Sequence, residues 1–146
     1  MFKKLLVPVD GSVSSFDALD VAIDMANSIK ADVVILTVAQ SMAQQGWIVD
    51  ARLRTEEDDE ELAEKKKMAA HIVDMAKIKA EKIEGAVEVY NKVGYPADVI
   101  VEQAKESQCD CIIMGSRGLS GVKKALLGSV SSQVAHTAEI PVLLVK

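Results

Sequence analysis

Residues 111–137 read CIIMGSRGLSGVKKALLGSVSSQVAHT, an apolar run that breaks into glycines and hydroxyl residues and then resumes at helical spacing. Gly115 and Gly118 are separated by two residues, nine more lead to Gly128, and Ser129, Val130, Ser131 and Ser132 follow. A glycine-rich turn after a strand, opening into a hydroxyl-rich helix start, suits an anion. Its backbone N–H groups are uncovered, and the positive end of the helix dipole faces the same space. A nucleotide phosphate chain is the expected guest, and a strand feeding a loop and a helix is one repeat of a β-α alternation.

Outward from this stretch the chain repeats that alternation. Residues 3–9 (KKLLVPV) form a short apolar run closed by Asp10, Gly11 and Ser12, which reads as a buried strand and a turn. Ser14 or Ser15 is the expected cap of the next helix, with an apolar face of Phe16, Leu19, Val21, Ile23 and Ala26. Residues 32–39 (DVVILTVA) are a β-branched run of strand length that completes a parallel β-α-β unit. After the acidic run at 56–61 (EEDDEE), Leu62, Ala69, Ile72, Val73, Ala76, Ala80 and Ile83 recur at helical spacing. Residues 87–93 (VEVYNKV) alternate apolar and polar, as in a strand exposed on one face or near an edge. Gly94, Tyr95 and Pro96 break the chain, a helix is expected over 97–107, and residues 111–114 and 141–145 (PVLLV) supply two last strands.

Five strands joined through helices by short connections predict an α/β fold: an open, doubly wound parallel sheet with helices on both faces, one domain over 1–146. Ligands of such sheets bind beyond the carboxyl ends of the strands. The residues found there, Val9 and Asp10, Val38 and Ala39, Gly94, and Gly115, are therefore expected to converge.

At 146 residues the chain has the size of one domain with a proper core. A hydrophobic share of 49% with 3% aromatics suits an aliphatic core of strands buried on both faces. The net charge of −5 argues against a general affinity for nucleic acid or membrane surfaces, since a polyanion is not drawn to an acidic protein without a basic patch. No run is long enough to span a bilayer, and the apolar N-terminal run, soon broken by Pro8 and Asp10, is unlike a signal peptide, so a cytoplasmic location is expected. Cys109 and Cys111 are poorly spaced for a disulfide and too few for a closed zinc site, and read as buried or half-buried thiols at the start of a strand. The acids at 56–61 read as a solvated helix start favoured by the dipole, with Glu61 four residues before Lys65. Trp47 reads as a packing anchor in a loop, His71 as a surface or partly buried helical residue without a role, and His136 as a partner of the last helix's C-terminal dipole.

Spacing excludes two common phosphate cradles. A Walker loop needs GK[ST], but Gly128 is followed by Ser129, and the Rossmann fingerprint needs G-x-G-x-x-G, which these glycines do not form. The set resembles the universal stress protein family, whose ATP-binding members carry G-x-x-G, nine residues, then G-[ST], matched here by Gly115, Gly118, Gly128 and Ser129. The resemblance runs the length of the chain, with V-P-V-D-G-S at 7–12, G-x-P at 94–96 and P-V-L-L-V at 141–145. It implies the strand order 3-2-1-4-5 and, commonly, a homodimer. It also implies that Pro8, Val9 and Asp10 line the adenosine side and that Val38 contacts adenine through its backbone. Met114, Gly115, Ser116, Arg117 and Gly118 would wrap ribose and phosphates, and Gly128, Ser129, Val130 and Ser131 would bind phosphate oxygens. ATP is the implied cofactor, with Mg or Mn beside the phosphates, where Asp10 could hydrogen-bond ribose or help hold the ion. Gly115 and Gly118 are expected to let backbone approach the ligand closely, and Lys123 or Lys124 could add to the charge of Arg117.

Catalysis needs a general base or nucleophile beside the bound phosphate, and these loops offer no His, Cys or Glu. The expected function is a nucleotide-dependent regulator of the stress response with at most slow ATP hydrolysis. A weak ATPase and a nucleotide-free dimeric interaction module are the alternatives. The apolar run at 141–145 is a pairing hazard as an edge strand, and antiparallel pairing with a second copy would cover it.

Overall fold

Strands that are aliphatic on both sides have no face to offer water, so each must be covered twice, and this chain does so by following each of the first four with a helix. The computed structural model describes residues 2–40, 55–117 and 128–146. Along them run β1 (Lys4–Pro8), α1 (Val13–Ile29), β2 (Asp32–Gln40), α2 (Glu56–Ala80), β3 (Val87–Gly94), α3 (Pro96–Glu106), β4 (Cys111–Gly115), α4 (Ser129–Thr137) and β5 (Val142–Val145). The strands form one five-stranded sheet in the order β3-β2-β1-β4-β5, every pair parallel, as expected. Alternate residues feed two cores. Leu5, Val7, Val33, Ile35 and Ile113 pack with Leu19 and Ala22 of α1 and Ile72 and Ala76 of α2. Leu6, Val34, Leu36, Ile112 and Met114 pack on the other side with Ile100 and Ala104 of α3 and Val134 of α4. From β1 the chain winds outward to β2 and β3, then returns to β4 on the opposite side, so the switch point lies between β1 and β4.

Several local features follow the sequence and two correct it. Ser12, not Ser14 or Ser15, caps α1, its hydroxyl oxygen accepting from the Ser15 amide at 3.1 Å. Ser15 is buried and donates its own hydroxyl to the Ser12 carbonyl at 2.9 Å. The cause is an Asx turn: the Asp10 carboxylate accepts from the Ser12 amide at 2.9 Å, and Gly11 takes φ +90°, so the helix begins early. Val21 lies on the outer face, 37% exposed, because the buried phase of α1 runs through Ala18, Leu19, Ala22, Ile23 and Ala26. The acidic start of α2 contains a capping box between Thr55 and Asp58, and Lys65 pairs with Glu61 at 3.1 Å. Cys109 and Cys111 are buried and free. No helix among the described residues is long and apolar enough to cross a membrane. Trp47, Gly118, Lys123 and Lys124 lie outside the described residues.

Candidate functional site

The carboxyl ends of β1, β2 and β4 and the start of α4 enclose a cleft of about 480 Å³, within the roughly 300–1,000 Å³ typical of small-molecule sites. Pro8, Val9 and Asp10 follow β1 into it, Val38 and Ala39 come from β2, Met114, Gly115 and Arg117 from β4, and residues 128–131 from the start of α4. Gly94 is not on its walls, and the end of β3 is represented by Pro96 two residues later.

The donors at α4 are mostly main chain. Gly128 is extended, with φ −62° and ψ 157°, and offers no side-chain cap. The first intrahelical bond is Ser132 N–H to the Gly128 carbonyl at 2.9 Å, so the amides of Ser129, Val130 and Ser131 have no helical carbonyl behind them. The positive end of the dipole opens on the same space. Hydrogen bonds hold this helix start in place: the Gly128 amide donates to the Ser116 carbonyl at 2.8 Å, and Ser131 Oγ donates to the Gly128 carbonyl at 2.9 Å with the Ser116 carbonyl 3.3 Å away. A hydroxyl has one hydrogen. Ser131 therefore presents its amide, not its hydroxyl, as a donor to the cleft. Ser116 is buried, does not line the walls, and donates its amide to the Val145 carbonyl at 2.9 Å. It positions α4 against β4 and β5.

Gly115 is required for a reason the sequence did not show. A Cβ there would meet the carbonyl carbon and oxygen of Ser14, each at 2.8 Å, and the Ser14 hydroxyl closer still. The missing side chain makes room for the start of α1. Arg117 is exposed, and its amide donates to Ser14 Oγ at 3.4 Å. Asp10 is half-buried, engaged through Oδ1 with Ser12, while its amide donates to Ser15 Oγ at 3.3 Å.

A further wall was missed. Lys65, Met68, Ala69 and Ile72 of α2 line the cleft, as does Ile100 of α3. The signal was present as phase: Lys65 precedes Ala69 by four residues and Ile72 by seven, which puts this lysine on the inward stripe. Thr37 of β2 also lines the cleft, and it is 1% exposed with no hydrogen-bond partner for Oγ1. Neither cysteine lines it. Burial pushes the Cys109 thiol up to about 11 and raises that of Cys111 as well, so neither supplies a thiolate near neutral pH. Donors for an anion, a guanidinium and one carboxylate therefore face a common space that contains, among the described residues, no His, Cys or Glu.

Comparison with known proteins matches residues 1–146 to the model of the Universal stress protein family. Universal stress protein YxiE of Bacillus subtilis (strain 168) is 37% identical over 148 residues, covering all of both chains. Universal stress protein MJ0531 of Methanocaldococcus jannaschii is 36% identical over 152 residues, covering all of this chain and 83% of its relative. Among solved structures, a universal stress protein in complex with cAMP superposes with a TM-score of 0.71 at 30% identity, covering 99% of this chain and 97% of the other. That of MJ0577, of the same archaeon, reaches a TM-score of 0.82 at 29% identity, covering 100% and 96%.

Proposed function

Because this chain belongs to the universal stress protein family, we propose that the cleft at the carboxyl edge of its sheet binds ATP, and that the bound nucleotide sets the contacts the protein makes as a cytoplasmic regulator of the stress response. The observation that carries this reading is the convergence on one cleft of the open amides of α4, Arg117 and Asp10. Such donors match a phosphate chain, with Arg117 supplying a guanidinium charge. The similar protein solved with cAMP supports an adenine nucleotide over other anions. In this reading Pro8, Val9 and Asp10 flank the nucleoside, and the Val38 backbone meets adenine. Met114, Gly115, Arg117 and Gly118 pass the ribose and phosphates to Gly128 and the open amides of Ser129, Val130 and Ser131, with the Gly128 amide bonded to the Ser116 carbonyl and so holding that segment in place.

Among the described residues no group of three or more His, Cys, Asp or Glu could hold a metal. Mg or Mn would therefore arrive with the phosphates, sharing Asp10, phosphate oxygens and water as ligands. With no His, Cys or Glu on the described walls, and the one carboxylate, Asp10, already accepting from the Ser12 amide, hydrolysis is at most slow. The chain works as one domain and pairs with a second copy through β5, an edge strand bonded on one side to β4 with Leu143 41% exposed.

The test is mass spectrometry of small molecules released from the purified protein, together with thermal shift on adding ATP. ATP at 100 times its dissociation constant stabilises by about 2.7 kcal/mol, a rise in Tm of roughly 5–10 °C at this size. Absence of any adenine nucleotide, with no shift on adding millimolar ATP, ADP or AMP, rejects the reading.

A further inference from the structure

We infer that Thr37 is a specificity-determining residue of this cleft, its buried hydroxyl kept free to hydrogen-bond the nucleoside half of the bound nucleotide; the inference rests on the nucleotide reading above. Thr37 occupies a strand whose neighbours are Val33, Val34, Ile35, Leu36, Val38 and Ala39. It shares the α1 and α2 side of the sheet with Val33 and Ile35, where a valine would fill the same space. The residue is 1% exposed, yet Oγ1 has no partner among the described residues. Buried hydroxyls almost always find one, and an unpaired one destabilises the fold. Among the described residues two other buried side-chain oxygens lack a hydrogen-bond partner, and neither resembles this case. Glu88 Oε2 lies 2.8 Å from Lys4 Nζ and is charge-paired, while Gln103 donates its amide to Ser107 at 2.7 Å, and neither residue lines the cleft. A polar group that weakens the fold, placed on the wall of a binding cleft, is the kind of local conflict expected where function overrides packing.

Its place selects the half of the ligand. The open amides and Arg117 gather at β4 and α4, and β1 separates β2 from β4 in the sheet. With strands about 4.8 Å apart, β2 stands roughly 10 Å from β4 in the sheet, which sets Thr37 beside Val38 at the nucleoside end. A hydroxyl both donates and accepts, so it can meet either a ring nitrogen or an exocyclic amine of a base. Met68 on the facing α2 wall is unbranched and 59% exposed, and the unbranched Lys65 side chain is 37% exposed, which lets them move aside as a ligand seats. The fold has already stripped water from this hydroxyl, so a ligand group gives up only its own water on bonding it, and the contact is worth more than an ordinary exchange.

The test compares wild type, Thr37→Val and Thr37→Ser by melting without ligand and by calorimetric titration with adenosine, AMP and ATP. Thr37→Val should raise the ligand-free Tm by roughly 2–6 °C and weaken all three ligands by the same factor, about tenfold. Thr37→Ser keeps the hydroxyl and should remain within about threefold of wild type. A Thr37→Val protein that binds all three ligands as wild type does, or that loses affinity for ATP alone, overturns the inference. So does a ligand-free Tm at or below that of wild type, which would mean that water satisfies the hydroxyl. Failure of the wild type to bind any of the three overturns the nucleotide reading itself, and is seen before any variant is made.

Discussion

Replacing Gly115 with alanine tests whether the end of β4 is glycine for the sake of α1. The new Cβ would lie 2.8 Å from both the carbonyl carbon and the oxygen of Ser14, whereas ordinary contact begins at 3.4 Å, so helix and strand must part by about 3.4 − 2.8 = 0.6 Å. Both atoms are backbone, and no rotamer change relieves them. Moving α1 disturbs Ala18, Leu19 and Ala22, each 0% exposed. Overpacking of this kind costs about 1–3 kcal/mol. Against it, alanine stiffens the unfolded chain and returns about 0.4–1 kcal/mol. The packing term wins, leaving a net loss of about 1–2 kcal/mol and a Tm lower by roughly 2–8 °C without nucleotide, read by far-ultraviolet circular dichroism. Adding Ser14→Ala removes only the hydroxyl contact and should not rescue. A ligand-free Tm equal to or above wild type, the result expected from the unfolded-state term alone, would refute the reasoning. So would full rescue by Ser14→Ala.

Ser131→Ala removes the hydroxyl that ties the start of α4 to the Gly128 carbonyl at 2.9 Å, and leaving that buried acceptor weaker should cost about 1–2 kcal/mol in urea denaturation; an unchanged midpoint would remove Ser131 from the clasp. Thr55→Ala breaks the capping box at α2 and should cost about 1 kcal/mol, which the same titration reads. Because burial raises the Cys109 thiol from 9.0 to about 11, the unfolded chain ionises first. Its contribution to stability is complete below pH 9 and is lost as pH rises through about 11, so wild type should lose more stability between pH 8 and pH 10.5 than Cys109→Ala, and equal losses would contradict the burial argument. Leu143→Lys places a charge on the exposed edge of β5 and should yield a monomer by sedimentation at micromolar concentration if that edge pairs two copies; an unaltered dimer would move the interface elsewhere.

What the sequence made legible was the alternation and its ends. Runs such as VVIL in β2 and CIIM in β4 admit no wet face, so a parallel sheet between helices follows from them directly. The acidic start of α2, the edge character of β3 and Pro96 at the first turn of α3 were equally readable, because each depends on residues within a few positions of one another. What escaped was tertiary. Gly115 is constrained by Ser14, a hundred residues earlier in the chain, and nothing local to G-x-x-G distinguishes a glycine that admits a ligand from one that admits a helix. Ser12 displaced Ser14 and Ser15 as cap because the Asx turn at Asp10 and the left-handed Gly11 decide where the helix starts, and three serines in four positions gave no ranking by composition. The wall from α2 was legible only as helical phase, and phase shows an inward face without showing what it faces.

Under the proposed function the phosphate donors are largely amides, which changes how the site would respond to mutation. Deleting the side chain of Ser129, Val130 or Ser131 leaves its N–H in place, so an alanine scan of the walls would underestimate the site. The vulnerable element is the placement of α4 relative to β4. That placement rests on the Gly128 amide bonding the Ser116 carbonyl, on Ser131 bonding the Gly128 carbonyl, and on the Ser116 amide bonding Val145 of β5. The last bond joins the cleft to the strand proposed to pair two copies. A shift of β5 on pairing would move Ser116, and with Ser116 the helix start whose amides open on the cleft. Three hydrogen bonds thus join the cleft to the sheet edge, and under the proposed function they are the path by which a bound nucleotide would bias what the edge strand binds.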